Sequence, residues 1–213
     1  MTSHHPQEDL LLSYSAGALG ESWSLPVACH LAYCPECRYE VSAADEIGGL
    51  LLEDSTVESL SPSALGNVLS QLDKVVELEA PKLIPRTSAL PSPLREYVSS
   101  DIDLIPWKSI GRGTYQCLIA TGDSDQARLL RIPAGKPVPE HGHRGRELTL
   151  VLRGSFSDQN GEFSCGDLQD VDEYITHQPY AGMNEDCICL VVTDASLKFT
   201  NLMPRLAQPF INI

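Results

Sequence analysis

Gly135–Gly154 reads GKPVPEHGHRGRELTLVLRG. His141 and His143 stand one residue apart, and Glu147 follows four residues after the second. In extended backbone, alternate side chains share a face, so both imidazoles project from one side of a strand. Glu147 opens the β-rich run Glu147-Leu148-Thr149-Leu150-Val151-Leu152, which can bring its carboxylate to the same point from a neighbouring strand or turn. Nitrogen and oxygen donors of this kind suit zinc, iron, manganese, nickel or copper. Gly135 and Gly154 fit the tight turns at which strands reverse. A fourth ligand is expected further on. His177 is the only histidine after His143 and follows Gly166 by eleven residues.

A second constellation lies near the start of the chain. His30, Cys34 and Cys37 form H-x3-C-x2-C. On a helix positions 30 and 34 share a face, and position 37, just past Pro35, can close on the same ion. Two thiolates and an imidazole need one more donor for a tetrahedral structural zinc site, and the remaining histidines are His4 and His5. Cys29, about 100° around the helix from His30, reads as packing.

These two patterns carry a resemblance. The spacing G-x5-H-x-H-x3-E-x6-G over Gly135–Gly154 is the first cupin motif. The second motif keeps Gly166 and His177, while its interior Pro, Gly and terminal Asn positions hold Asp172, Tyr174 and Ala181. The acidic N-terminal segment with H-x3-C-x2-C and an upstream histidine looks like the zinc-binding anti-sigma domain. Joined to a cupin, it resembles the ChrR type of anti-sigma factor over essentially the whole chain. That resemblance implies zinc on His5, His30, Cys34 and Cys37, since the family's upstream ligand is spaced as His5 is from His30. It implies zinc or another divalent transition metal on His141, His143, Glu147 and His177. It also implies that the partner is an extracytoplasmic-function sigma factor, released on a stress signal, in some members singlet oxygen.

The chain reads as α+β with two domains. Residues 1–78 are expected to form a small zinc-stabilised helical bundle, and residues 94–213 an antiparallel β-barrel. Helices are expected over Glu8–Leu19, from a Ser24 cap to Tyr33, over Pro35–Leu52, and from Ser61-Pro62 onward. The last places Leu65, Val68, Leu69, Leu72, Val75 and Val76 on one stripe, a candidate partner surface or a core face. Prolines at 81, 85, 91 and 93 mark residues 79–93 as a linker expected to separate two cores. Strands are expected at Trp107–Ile110, Thr114–Ala120, Ala127–Ile132, Leu148–Leu152, Gly154–Ser157, Leu168–Val171, Cys187–Thr193 and Leu197–Leu202.

Composition narrows the function classes. Of the formal charge of −14, about −10 falls on residues 1–78, where only Arg38 and Lys74 oppose twelve acidic residues. Such a segment repels nucleic-acid phosphates, which argues against a zinc-finger DNA binder and favours a basic protein partner. No apolar run approaches the length of a membrane span and no secretory signal opens the chain, so a cytoplasmic protein is expected. Seven cysteines then read as thiols or ligands rather than disulfides. Cys187 and Cys189 share a strand face, as a redox pair or plain core, and Arg144 and Arg146 are expected to face outward. Two functions compete: a regulatory anti-sigma factor, or a cupin metalloenzyme of dioxygenase or isomerase type with an accessory zinc domain. The acidic zinc domain, which a metabolic cupin would not need, favours the first.

Overall fold

A computed structural model describes residues 2–72, 90–98, 102–111, 113–195 and 198–199. The helical signals become α1 (Glu8–Ser15), α2 (Glu21–Tyr33), α3 (Pro35–Glu53) and α4 (Ala64–Leu72). Pro35 opens α3 at a position where its missing N–H costs nothing, and Cys34 is the capping residue.

The start of α2 differs from the expected Ser24 cap. It begins at Glu21, so Pro26 lies inside the helix. The reason is tertiary. Asp123, in the turn between two strands about a hundred residues later, accepts from Ser22 N at 2.8 Å and from the Ser22 hydroxyl. It thereby caps α2 from outside, satisfying an amide that Gly20 has no side chain to reach. A Cβ on Gly20 would stand 2.7 Å from the Asp123 carboxylate, so glycine makes room for the cap.

The β unit consists, among the described residues, of β1 (Lys108–Gly111), β2 (Thr114–Ile119), β3 (Gln126–Ile132), β4 (His141–Gly142), β5 (Glu147–Arg153), β6 (Ser155–Asp158), β7 (Gly161–Ser164), β8 (Leu168–Val171), β9 (Thr176–His177), β10 (Tyr180–Ala181), β11 (Cys187–Thr193) and β12 (Lys198–Phe199). All named pairings are antiparallel. They form a six-stranded sheet in the order β1-β2-β3-β11-β5-β8 and two three-stranded sheets, β10-β6-β7 and β12-β4-β9. The expected closed barrel is therefore a sandwich: hydrogen bonding does not join the sheets into one ring among these residues. Gly135 and Gly154 do turn the chain, at φ +67° and +71°.

Both faces of the large sheet are covered, which is why β5 and β11 are buried almost throughout rather than alternating. One face, with Leu129, Leu148, Leu150, Ile188 and Leu190, packs in a single apolar cluster with Leu10, Trp23, Leu25 and Cys29 of the helices. The other, with Val151, Cys187, Cys189 and Val191, packs on Phe156, Phe163 and Ala181. The expectation of two separate cores is thus corrected: α2 lies on the sheet and the main core belongs to both segments. The expected linker, 79–93, falls mostly outside the described residues. Its last part is anchored, with Leu90 buried and a 3₁₀ turn starting at Ser92.

Candidate metal centres and an exposed apolar face

The strand pair β4–β9 sets His141 directly opposite His177. His143 follows in the turn after β4, and Glu147 enters on β5. Donor atoms of these four residues all lie within 4.8 Å of one another, and all four side chains are buried. The outer nitrogens determine which ring nitrogen faces inward. His141 Nδ1 donates to the Pro139 carbonyl, and His177 Nδ1 donates to Asp158 Oδ2, both at 2.8 Å. Each Nε2 is then left as a lone pair, and the two stand 3.1 Å apart, with His143 Nε2 3.2 Å from that of His177. Lone pairs held at such distances in a buried pocket repel unless a cation lies among them. The Asp158–His177 contact is the carboxylate–histidine arrangement that fixes a metal-binding tautomer.

The electrostatics agree with that reading. Burial and the neighbouring His177 ring depress His141 to about 4, so it is neutral and able to ligate at neutral pH. Burial raises Glu147 to about 7, against the opposing effects of the Thr149 hydroxyl and the Arg128 guanidinium. A carboxyl group must lose its proton to become a ligand. Metal uptake here should therefore release a proton and weaken as pH falls through about 7, which occupancy measured across pH would reveal.

The N-terminal cluster is assembled from three places. His30 projects from the last turns of α2, Cys34 caps α3, Cys37 lies in the first turn of α3, and His5 arrives from the segment before α1. Their donor atoms also lie within 4.8 Å of one another. His5 Nδ1 is 3.4 Å from Cys34 Sγ and 3.3 Å from Cys37 Sγ, and His30 Nε2 is 3.3 Å from Cys37 Sγ. His30 Nδ1 donates to the Gly166 carbonyl at 2.8 Å, which leaves Nε2 facing the thiols. Burial opposes ionisation of Cys34, but hydrogen bonds led by Cys37 N–H hold its thiol below the usual range. Burial and the adjacent Cys34 push Cys37 up to about 12. Only a cation between them would hold both sulfurs as thiolates, and two soft sulfurs with two imidazoles are a zinc-type donor set. His4, the other candidate, points elsewhere: its ring packs on Phe163, with centroids 4.2 Å apart.

The α4 stripe is not core. Leu65, Val68, Leu69 and Leu72 are between 52% and 72% exposed, and no residue of α4 is buried. Val75 and Val76 lie outside the described residues. Ile47, Leu50, Leu51 and Leu52 of α3, which the sequence reading left unassigned, are also exposed. The sequence marked them only as part of the helix expected over Pro35–Leu52. One other expectation changes, and one alternative is met. Arg146 does not simply face solvent: it bonds Asp170 at 2.8 and 2.5 Å and reaches Asp9 of α1. Cys187 and Cys189 are buried core residues with their sulfurs 3.4 Å apart.

Residues 95–197 match the family described as the ChrR cupin-like domain. Over 212 residues the chain is 44% identical to the anti-sigma-E factor ChrR of Cereibacter sphaeroides, a match that spans 99% of this chain and 98% of that one. The crystal structure of Rhodobacter sphaeroides SigE in complex with the anti-sigma ChrR is similar at a TM-score of 0.82 and 42% identity, covering 91% of this chain and all of the matched one.

Proposed function

This chain belongs to the ChrR family of anti-sigma factors, and from that premise we propose that it binds an extracytoplasmic-function sigma factor and keeps it inactive. The observation that carries the reading is the exposure of apolar side chains on α4 and at the end of α3, on an acidic segment, which nothing among the described residues covers. A sigma factor presents basic surfaces to DNA and apolar ones to polymerase, and this segment complements both. Leu65, Val68, Leu69, Leu72, Val75 and Val76 are the proposed contacts. Zinc is the proposed occupant of His5, His30, Cys34 and Cys37. His141, His143, Glu147 and His177 would hold zinc or another divalent transition metal, and the cupin would receive a stress signal, singlet oxygen or a related oxidant, that releases the sigma factor. The protein acts in the cytoplasm, where its partner works. No helix among the described residues is long and apolar enough to cross a membrane.

The test is to co-express the chain with the sigma factors of its source and ask which one co-purifies; none doing so would overturn the proposal. Residues 1–78, as the inhibitory domain, should inhibit by themselves. If that fragment folds and binds metal yet leaves transcription unchanged, this division of labour is wrong. Metal-replete full chain should hold two metal equivalents, and elemental analysis returning one or fewer would remove one of the centres. The competing reading, a cupin metalloenzyme, draws on the same three histidines and glutamate; it predicts turnover of a small substrate that depends on His141 and leaves transcription untouched.

A further inference from the structure

Thr2–His5 are held by the β unit. Asp167, just before β8, accepts from Ser3 N at 2.6 Å and from His4 N at 3.1 Å through the same oxygen. Its other oxygen accepts from Ser164 N at 2.9 Å, which fixes the carboxylate in place. Leu168 N in turn donates to the His4 carbonyl at 3.2 Å. The next residue is His5, one of the four N-terminal donors. A second thread starts one residue earlier, where the Gly166 carbonyl accepts from His30 Nδ1. Gly166 is at φ +95°, and a Cβ there would be 2.8 Å from Thr2 and 3.0 Å from Tyr33. The approach of this backbone to α2 and to the N-terminal segment therefore requires glycine.

Three consecutive residues of the cupin thus orient two of the four N-terminal donors. Gly166 sets the tautomer and ring plane of His30, while Asp167 and Leu168 clamp the backbone that delivers His5. We infer that Gly166-Asp167-Leu168 is the positioning shell of the N-terminal metal site, so that the cupin sets the metal affinity of the inhibitory domain. The inference rests on the metal reading above. It assigns Asp167 a role that the cupin cluster does not need, because its partners are Ser3, His4 and Ser164 and none of the four cupin donors. Outer-shell partners of metal ligands typically change affinity by about 10- to 100-fold when removed.

The full chain loaded with cobalt(II) gives a readout specific to one site, because only the N-terminal cluster contains sulfur donors and so only it produces thiolate-to-cobalt charge-transfer absorption. Wild-type protein without that absorption would defeat the metal reading itself. Where wild type shows it, Asp167→Ala should weaken cobalt binding at this site by about 10- to 100-fold, and Asp167→Asn, which keeps one acceptor oxygen, by less. Ser3→Pro removes both Ser3 donors to Asp167, the amide and the hydroxyl, from outside the sandwich core; a loss of about tenfold is expected. Titrations superimposing on wild type in these variants would overturn the inference. Should Asp167→Ala fail to fold, wild-type affinity in Ser3→Pro is enough to overturn it.

Discussion

Cys34→Ala or Cys37→Ala should abolish inhibition, raising sigma-dependent transcription to the level of a strain that lacks this protein. The local core explains the size of the effect. The cluster that binds α1, α2 and α3 to one another consists of Leu11, Val27, Cys34 and Cys37 among its fully buried members. Two of those four are the thiols. Burying Leu11 and Val27 contributes roughly 1.5–3 kcal/mol each, whereas a structural zinc site in small peptides contributes about 10–16 kcal/mol at neutral pH. A domain stable by only about 5–15 kcal/mol cannot absorb a loss on that scale. The damage should nevertheless be confined. Leu10 of α1 and Trp23, Leu25 and Cys29 of α2 pack on the sheet in a different cluster, so both helices keep a seat there. Hydrogen exchange should show amides of α3 losing protection while β3, β5 and β11 keep theirs. Wild-type inhibition by either variant would remove metal from the inhibitory mechanism.

His141→Ala and Glu147→Ala should have the opposite phenotype: full inhibition without signal, and little or no induction with it. Both residues lie on strands and not on α3 or α4, so the substitutions leave the proposed sigma-binding residues themselves unchanged. What the substitutions remove is the tie between β4, β5 and β9, which the metal would hold together at one point. Glu147 lies opposite Val171 in the β5–β8 pairing, and β8 begins at Leu168, beside the residues that clamp His5 and His30. A change at the cupin centre is therefore one strand away from the contacts that hold the N-terminal His/Cys cluster. Release requires only a modest difference, since a coupling of ~1–3 kcal/mol alters affinity by about 5- to 150-fold. The measurement is sigma-dependent transcription in both variants, with and without the signal. Full-sized induction in both would take the cupin metal out of the signalling path and favour the enzyme reading.

Much of this molecule is legible without its coordinates. H-x-H-x3-E with a later histidine, and H-x3-C-x2-C with an upstream one, select donor types at spacings that little besides a metal explains, and each set does converge within 4.8 Å. The long strands β3, β5 and β11 follow from β-branched and aliphatic runs, and α3 from a proline at its first position. The two-residue strands β4, β9 and β10 were missed because so short a span has no periodicity to detect. β4 and β9 are nonetheless the strands that bring His141 to His177.

What the sequence alone determined was local: which residues donate, which segments are helical or extended, and where acidic charge accumulates. The tertiary structure decided what those segments rest on. The proline-rich stretch suggested two independent cores, yet α2 lies on the large sheet because the sheet's outer face is apolar and must be buried. Ser24 offered a local cap, yet α2 starts at Glu21 because Asp123, on a distant turn, supplies the acceptor. Asp158 and Asp167 gave no signal at all in the chain, since a hydrogen-bond acceptor is defined by the donors around it. Those donors, His177 for the first and Ser3 and His4 for the second, come within reach only when the chain is folded.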